Sequence, residues 1–285
     1  MSFKSQSAME YLMTYGWAIL IIAVVIVAIF QLGIFNNSNL VPHALSGACE
    51  VVRNAAGSSL AGQCNNEIPQ SVAVFDGASS YISVGNLPQI GSTTAWAVSF
   101  WMDSAAVVSY DNSLDANFVP IGNNEGPRFE QATGGSFAVV VGNGAGQYLE
   151  GTYTTSLLPN TWYYVVVIRS GNNLIGYLNG AQVFNTGGTY WPPGFANLTI
   201  GQGYSSSRKF DGQISNVQIY NTSLSANEIS ALYLEGIGGA PIDPTHIVGW
   251  WPLNGNAQDY SGNNNGGAPT NVAYTSSWAS GYTAP

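Results

Sequence analysis

Few residues in this chain can do chemistry, and their spacing restricts them further. Only 7% of its 285 residues are charged, against about 25% in ordinary soluble domains. Asp103, Asp111 and Asp115 read as loop carboxylates. They lack the two-residue alternation that would put two carboxylates on one sheet face for acid–base work. His43 and His246 are the two histidines, so no serine or cysteine nucleophile has a convincing base, and no CxxC or Cys/His zinc pattern occurs. Cys49 and Cys64 would close a short disulfide loop in an oxidising compartment, for roughly 3 kcal/mol, or else stand as two buried thiols. Six Lys and Arg in a chain of net charge -9 argue against nucleic acid, whose phosphates call for clustered basic residues. The adjacent pair Arg208-Lys209 reads as a solvated loop. The residues themselves point to no catalytic centre.

Glu10 stands apart from these. It sits at the edge of an apolar stretch, and from Tyr11 to Phe35 there is no charge. That is enough for the ~20 residues that span a bilayer. A carboxylate there is costly unless it reaches the headgroups or pairs with a positive group. If the chain is cut between Ser5 and Gln6, Glu10 becomes the fifth residue. The new amine of Gln6 then lies four positions away on the same helix face. Lys4 favours a cytoplasmic N-terminal end and a head outside. No Ala-x-Ala cleavage site follows the apolar run, as a secretory signal peptide would require.

The run Lys4-Ser5-Gln6-Ser7-Ala8-Met9-Glu10-Tyr11-Leu12, followed by Gly16-Trp17-Ala18-Ile19, resembles the class III signal of archaeal type IV pilin-like proteins. The resemblance implies a leader over 1–5 removed by a prepilin peptidase, and a membrane or filament-core helix over 6–35. Glu10 would neutralise the N-terminal amine of a neighbouring copy as helices pack into a filament. Ser5 departs from the Gly or Ala more usual before the cut.

Asn36-Asn37-Ser38-Asn39 and Pro42 break the helix. Residues 36–70 read as a neck holding Cys49 and Cys64, with a turn at Gly57-Ser58-Ser59. Asn36, Asn197 and Asn221 each begin an Asn-x-Ser/Thr glycosylation triplet, which in so Asn- and Ser-rich a chain also arises by chance. From Ser71 onward, short runs rich in Val, Ile and aromatics alternate with turns: 71–75, 81–84, 96–102, 137–141, 162–168, 198–201 and 212–220. Residues 174–184 read as a hairpin on Asn179-Gly180, a pair that accepts positive φ. Ser225-Ala226-Asn227-Glu228 is a capping box that opens one helix, with Ile229, Leu232 and Tyr233 as its buried stripe and Gly236 as its stop. The pattern predicts a mainly β fold: an antiparallel jelly-roll β-sandwich head on a long N-terminal hydrophobic α-helix.

The order Phe75-Asp76-Gly77, Val98-Ser99-Phe100-Trp101, Trp162–Val166, Tyr177-Leu178-Asn179-Gly180, Phe210–Tyr220, Leu224–Ile229 resembles the laminin-G-like, concanavalin A-like lectin/glucanase superfamily. Gly249-Trp250-Trp251-Pro252-Leu253-Asn254-Gly255 with Asp259–Asn263 resembles the opening strand and loop of that same domain, yet comes last. Too few residues follow for a second sandwich. Residues 246–285 are therefore expected to complete the head spanning 71–285, as in a circular permutation. The glucanase branch uses paired carboxylates on one strand, and that pattern is absent here, so no enzyme is expected. The resemblance makes a Ca²⁺ ion an expectation, with Asp76, Asp259 and Asn263 as ligands; the alternative is that Asp259 and Asn263 cap their own turn. Trp191 and Tyr204, in polar loops, are candidates for a sugar-stacking platform or for loop packing. The combined expectation is a cell-surface pilin-like subunit or anchored adhesin whose extracellular head binds glycans or cell surfaces. Alternatives are a filament coat with no ligand and a monomeric membrane-anchored receptor.

Overall fold

The computed structural model describes residue 15 and residues 19–25, 50–53, 60–63, 68–90, 94–106, 112–116, 126–131, 136–142, 147–153, 156–189, 194–203 and 207–285. The chain divides into two compact units, Met1–Ala48 and Cys49–Pro285. In the first, residues 19–25 are helical, wholly apolar and exposed, from Ile19 at 65% to Val25 at 48%. No helix among the described residues is long and apolar enough to cross a membrane. Ser5, Gln6, Glu10, Asn36, Cys49, Cys64, Trp191 and Tyr204 lie outside the described residues.

The second unit opens with a hairpin of β1 (Glu50–Arg53) and β2 (Leu60–Gln63). Its outermost pair, Glu50 opposite Gln63, is flanked in the chain by Cys49 and Cys64. The sandwich strands follow: β3 (Val72–Asp76), β4 (Tyr81–Leu87), β5 (Ala95–Ser104), β6 (Asn112–Ala116), β7 (Arg128–Gln131), β8 (Phe137–Gly142) and β9 (Tyr148–Tyr153). Then come β10 (Trp162–Ser170), β11 (Asn173–Leu178), β12 (Ala181–Gly187), β13 (Phe195–Ile200), β14 (Asp211–Tyr220) and the helix α1 (Ala226–Glu235). The chain ends with β15 (Ile247–Trp251), β16 (Ala268–Thr270) and β17 (Ala273–Thr275). One sheet runs β12-β11-β10-β5-β14-β3-β17, with β15 also on β14; the other runs β16-β4-β13-β6-β7-β8-β9. All pairings are antiparallel.

The main core lies between the sheets, where Trp96, Val98, Phe100 and Met102 of β5 meet Phe129, Phe137 and Val139. A second apolar layer covers the outer face of the eight-stranded sheet. There Ala97, Trp101, Tyr164 and Tyr220 pack against Ile229 and Leu232 of α1 and against Trp278. Strands β5, β10 and β14 are therefore buried on both faces; β5 and β10 accordingly read as nearly unbroken apolar runs, whereas β14 buries Ser215, Asn216 and Gln218 among its apolar residues. The Asn179-Gly180 turn takes left-handed φ at both residues, 49° and 78°, as its sequence predicts. The capping box of α1 is formed: Ser225 Oγ accepts from the Glu228 N–H, and the Glu228 carboxylate accepts from the Ser225 N–H. Glu235 joins Ile229 and Leu232 on its buried side, while Tyr233 is only partly covered.

The C-terminal segment contributes to both sheets. β3 pairs with β14 along 211–214 and β15 pairs with β14 along 217–220, so the two strands share one edge of β14 end to end. β17 extends β3 and β16 extends β4. Trp278 packs edge-on to Trp162 with ring centroids 6.2 Å apart, and its indole N–H donates to the Pro69 carbonyl at 3.1 Å. The entry and exit of this sandwich thus meet over the outer face of the eight-stranded sheet. Two loop readings are corrected. Asp103 lies in β5 and Asp115 in β6, because long-range pairing with Gln213 and Trp162, and with Thr199 and Arg128, recruits these polar residues into strands. Asp111 lies outside the described residues.

Candidate functional site

The three proposed calcium ligands do not converge. Asp76 ends β3, and its Oδ1 accepts the N–H groups of Ala78, Ser79 and Ser80 at 2.9, 2.7 and 2.9 Å. The Ser79 hydroxyl donates to Oδ2 at 2.7 Å. These donors, Ser79 foremost, hold the Asp76 carboxyl well below the usual carboxylate range. Asp259 accepts from the Trp250 and Ser261 N–H groups through Oδ1, and from the Ser261 hydroxyl and Asn265 N–H through Oδ2. Asn263 donates its amide to the carbonyls of Ile247 and Val248 at 2.9 and 3.1 Å. Both aspartates are thus Asx caps surrounded by donors, and Asp259 and Asn263 stitch their loop to β15. Asp76 faces Asp211, whereas Trp250, which Asp259 caps, faces Gln218. Those two positions on β14 lie roughly 20 Å apart at the strand rise. The residues therefore do not fit a single calcium site. No group of three or more His, Cys, Asp or Glu able to hold a metal occurs among the described residues.

The outer face of the seven-stranded sheet gathers polar chemistry instead. Strand alternation sends Phe129, Val139 and Leu149 into the core, so Arg128, Glu130, Val140, Tyr148, Glu150 and Thr152 face outward. Arg128 Nε and Arg208 Nη1 each lie 2.9 Å from the same oxygen, Oε2 of Glu130. Lys209 Nζ sits 4.3 Å from the centroid of the Tyr81 ring and donates to Gln202 Oε1. Arg128, Glu130 and Lys209 are each 7% exposed or less. Buried charges persist only when paired or hydrogen-bonded: Arg128 and Glu130 form an ion pair, and Lys209 has its amide acceptor and ring face.

The reading of Arg208-Lys209 as solvated loop is corrected here. Half of the chain's six basic residues stand on this face because a carboxylate, an amide and a ring await them. Arg128 and Glu130 escaped the sequence reading. Their signal was the two-residue alternation Arg-Phe-Glu, a short strand with both charges on one side. Farther along, Tyr148 is 48% exposed, and the Thr152 hydroxyl donates to Glu150 at 3.2 Å. Exposed Tyr148 shares the outer side of β9 with the exposed carboxylate of Glu150 and hydroxyl of Thr152, a composition that suits sugars: apolar ring faces stack and hydroxyls find charged partners.

At the end of β5, Asp103 faces outward on the opposite sheet, only 4% exposed. Its Oδ2 lies 3.5 Å from the Gln213 amide nitrogen, while Asp103 Oδ1 and Gln213 Oε1 have no donor among the described residues. Burial pushes its carboxyl up to about 6, opposed by the Thr161 backbone N–H. A raised carboxyl pKa adds stability at low pH that is lost as pH climbs from about 4 through 6. Asp103→Asn is therefore expected to flatten the dependence of melting temperature on pH across that window. The gain at pH 7.5 should reach at most about 3 kcal/mol, with none at pH 4. Parallel wild-type and variant melting curves with the same slope between pH 4 and 7 would refute this.

Two antiparallel sheets packed face to face, one capped by helix and tail and the other carrying a buried ion-pair cluster with Tyr148, Glu150 and Thr152 exposed on its edge strand, define a lectin-type β-sandwich. The Concanavalin A-like lectin/glucanases superfamily pattern matches residues 76–230, and the chain belongs to that family. Among solved structures, a candidate carbohydrate-binding protein from Bacteroides ovatus ATCC 8483 superposes with TM-score 0.55 at 15% identity. The match covers 73% of this chain and 60% of that one. Domain 4 of AbnA, an extracellular arabinanase of Geobacillus stearothermophilus, in complex with arabinotriose, gives TM-score 0.47 at 16% identity, over 65% of this chain and 81% of that one. A heptameric SAP-like pentraxin from Limulus polyphemus gives TM-score 0.46 at 13% identity, over 56% and 80%. No curated protein matches the chain in sequence.

Proposed function

We propose that this chain is a surface-displayed pilin-like subunit or anchored adhesin whose head binds glycans through the outer face of the seven-stranded sheet. The observation that carries this is the asymmetry of the sandwich. Helix α1, Trp278 and the entry at Pro69 all lie on the eight-stranded side. The opposite side carries exposed Tyr148 with Glu150, Thr152 and Arg208. The family and the carbohydrate-binding description of the Bacteroides structure agree with this reading. Trp191 and Tyr204 are retained from the sequence as further candidate stacking rings. The exposed apolar helix at 19–25 calls for a non-aqueous neighbour, either lipid or the helices of other copies. In this reading a prepilin peptidase cuts between Ser5 and Gln6, Glu10 pairs with the amine of an adjacent subunit, and the head is extracellular.

The test is glycan-array binding by the full chain in detergent, combined with N-terminal sequencing of native material. Binding is expected to fall at least tenfold with Tyr148→Ala or Trp191→Ala at unchanged melting temperature, and the mature chain should begin at Gln6. Absence of binding to any glycan would sink the head's role. A chain beginning at Met1 or Ser2 would sink the pilin processing.

A further inference from the structure

The fold treats its two described Asn-x-Ser/Thr triplets differently. Asn197 stands where the pairing of β13 with β4 is irregular, between Phe195 and Leu198, with φ at 48°. Its side chain is exposed, and its own N–H donates to Asn86 Oδ1 at 3.0 Å, which pins the backbone and leaves the amide directed to solvent. Asn221 follows β14. Its N–H donates to the His246 carbonyl at 3.0 Å, and its side-chain Oδ1 is buried. A glycan on an asparagine is bulky and hydrated, so the folded product is tolerated only where the whole amide reaches water. At the second triplet the Asn221 oxygen is buried and the residue only partly exposed, which disfavours a sugar there.

We propose that Asn197 carries an N-linked glycan and that Asn221 does not. The inference rests on the reading that the head is exported, because the donor of such a transfer is a lipid-linked glycosyl phosphate on the outer side of the membrane. The Asn197 Nδ2 bonds to the anomeric carbon of the sugar. The bond from that carbon to the phosphate oxygen breaks with its electron pair left on the phosphate, and the nitrogen gives up one proton. Thr199 completes the triplet, and its hydroxyl donates to the Gln202 carbonyl at 2.7 Å in the folded head. Leu198 is fully buried, so the folded strand holds the neighbouring Asn197 on the outside.

Peptide mass spectrometry of the full chain from its native cells tests this, paired with protease treatment of the intact cells. The peptide spanning Asn197 is expected to carry sugar mass increments, the peptide spanning Asn221 none, and the head to be cleaved from outside. Asn197→Gln should remove the increment from the intact mass, whereas Asn221→Gln should leave it in place. An unmodified Asn197 in a head that protease reaches overturns the site alone. An unmodified Asn197 in a protected head overturns both the site and export. Sugar on Asn221 overturns the discrimination between the two.

Discussion

Trp251→Ala is expected to destabilise the head by about 3–5 kcal/mol, the range for removing a fully buried tryptophan. Trp251 is completely buried on β15, its indole N–H donates to the Asn265 carbonyl at 2.9 Å, and its ring folds over Gly249. The loss therefore combines a large cavity in the main core with an orphaned carbonyl at the base of the Asp259 loop. For a sandwich of this size each kcal/mol moves the melting temperature by about 2–4 °C, so a drop on the order of 10 °C should be seen by circular dichroism. Its neighbour Trp250 is the control. That ring is only partly buried, and its indole N–H donates to Asn216 Oδ1 at 2.9 Å, so its replacement by Ala should cost distinctly less. Equal effects at the two positions would mean that β15 is an appendage rather than part of the core.

Gly212→Ala should be nearly as damaging, by a different route. Gly212 lies at the start of β14 with φ at 151°, where its Cα approaches β5 closely. A Cβ there would stand 2.2 Å from the Asp103 carbonyl oxygen and 2.9 Å from Ser104 Cα. Both are backbone atoms of a central strand and cannot swing aside as a side-chain tip can. Overpacking typically costs about 1–3 kcal/mol, and a non-glycine residue in such a φ region adds about 1–3 more. A total on the order of 4 kcal/mol is expected in chemical denaturation. By contrast Gly171→Ala, whose Cβ would meet nothing within 4 Å, carries only its left-handed backbone strain at φ 59°. If Gly212→Ala proved no worse than Gly171→Ala, the seam between β5 and β14 would have to be looser than its geometry indicates.

Much of the fold could be read from local pattern, and particular residues show why. The unbroken aromatic and β-branched content of Trp162–Ile168 marks a strand because a pleated surface selects those side chains wherever the chain goes next. Asn179-Gly180 and Ser225–Glu228 specify their turn and cap through contacts within four residues. The short polar strand β6 escaped notice because little in its own sequence distinguishes Asn112–Ala116 from a loop; pairing with β7 and β13 makes it a strand.

What the sequence determined by itself is therefore local and periodic. It set the antiparallel sandwich, the helix with its caps, the apolar N-terminal run, and the tail's resemblance to a strand of the same domain. The candidate site was left to the tertiary structure. Glu130 and Arg208 are 78 positions apart, and no local pattern says that one carboxylate will hold both Arg128 and Arg208. The same folding that brings those charges together parts Asp76 from Asp259, which resemblance to the family had joined, by placing them at distant points along β14. Side-chain periodicity decides which face a residue occupies. Only the pairing of distant strands decides which other residues share it.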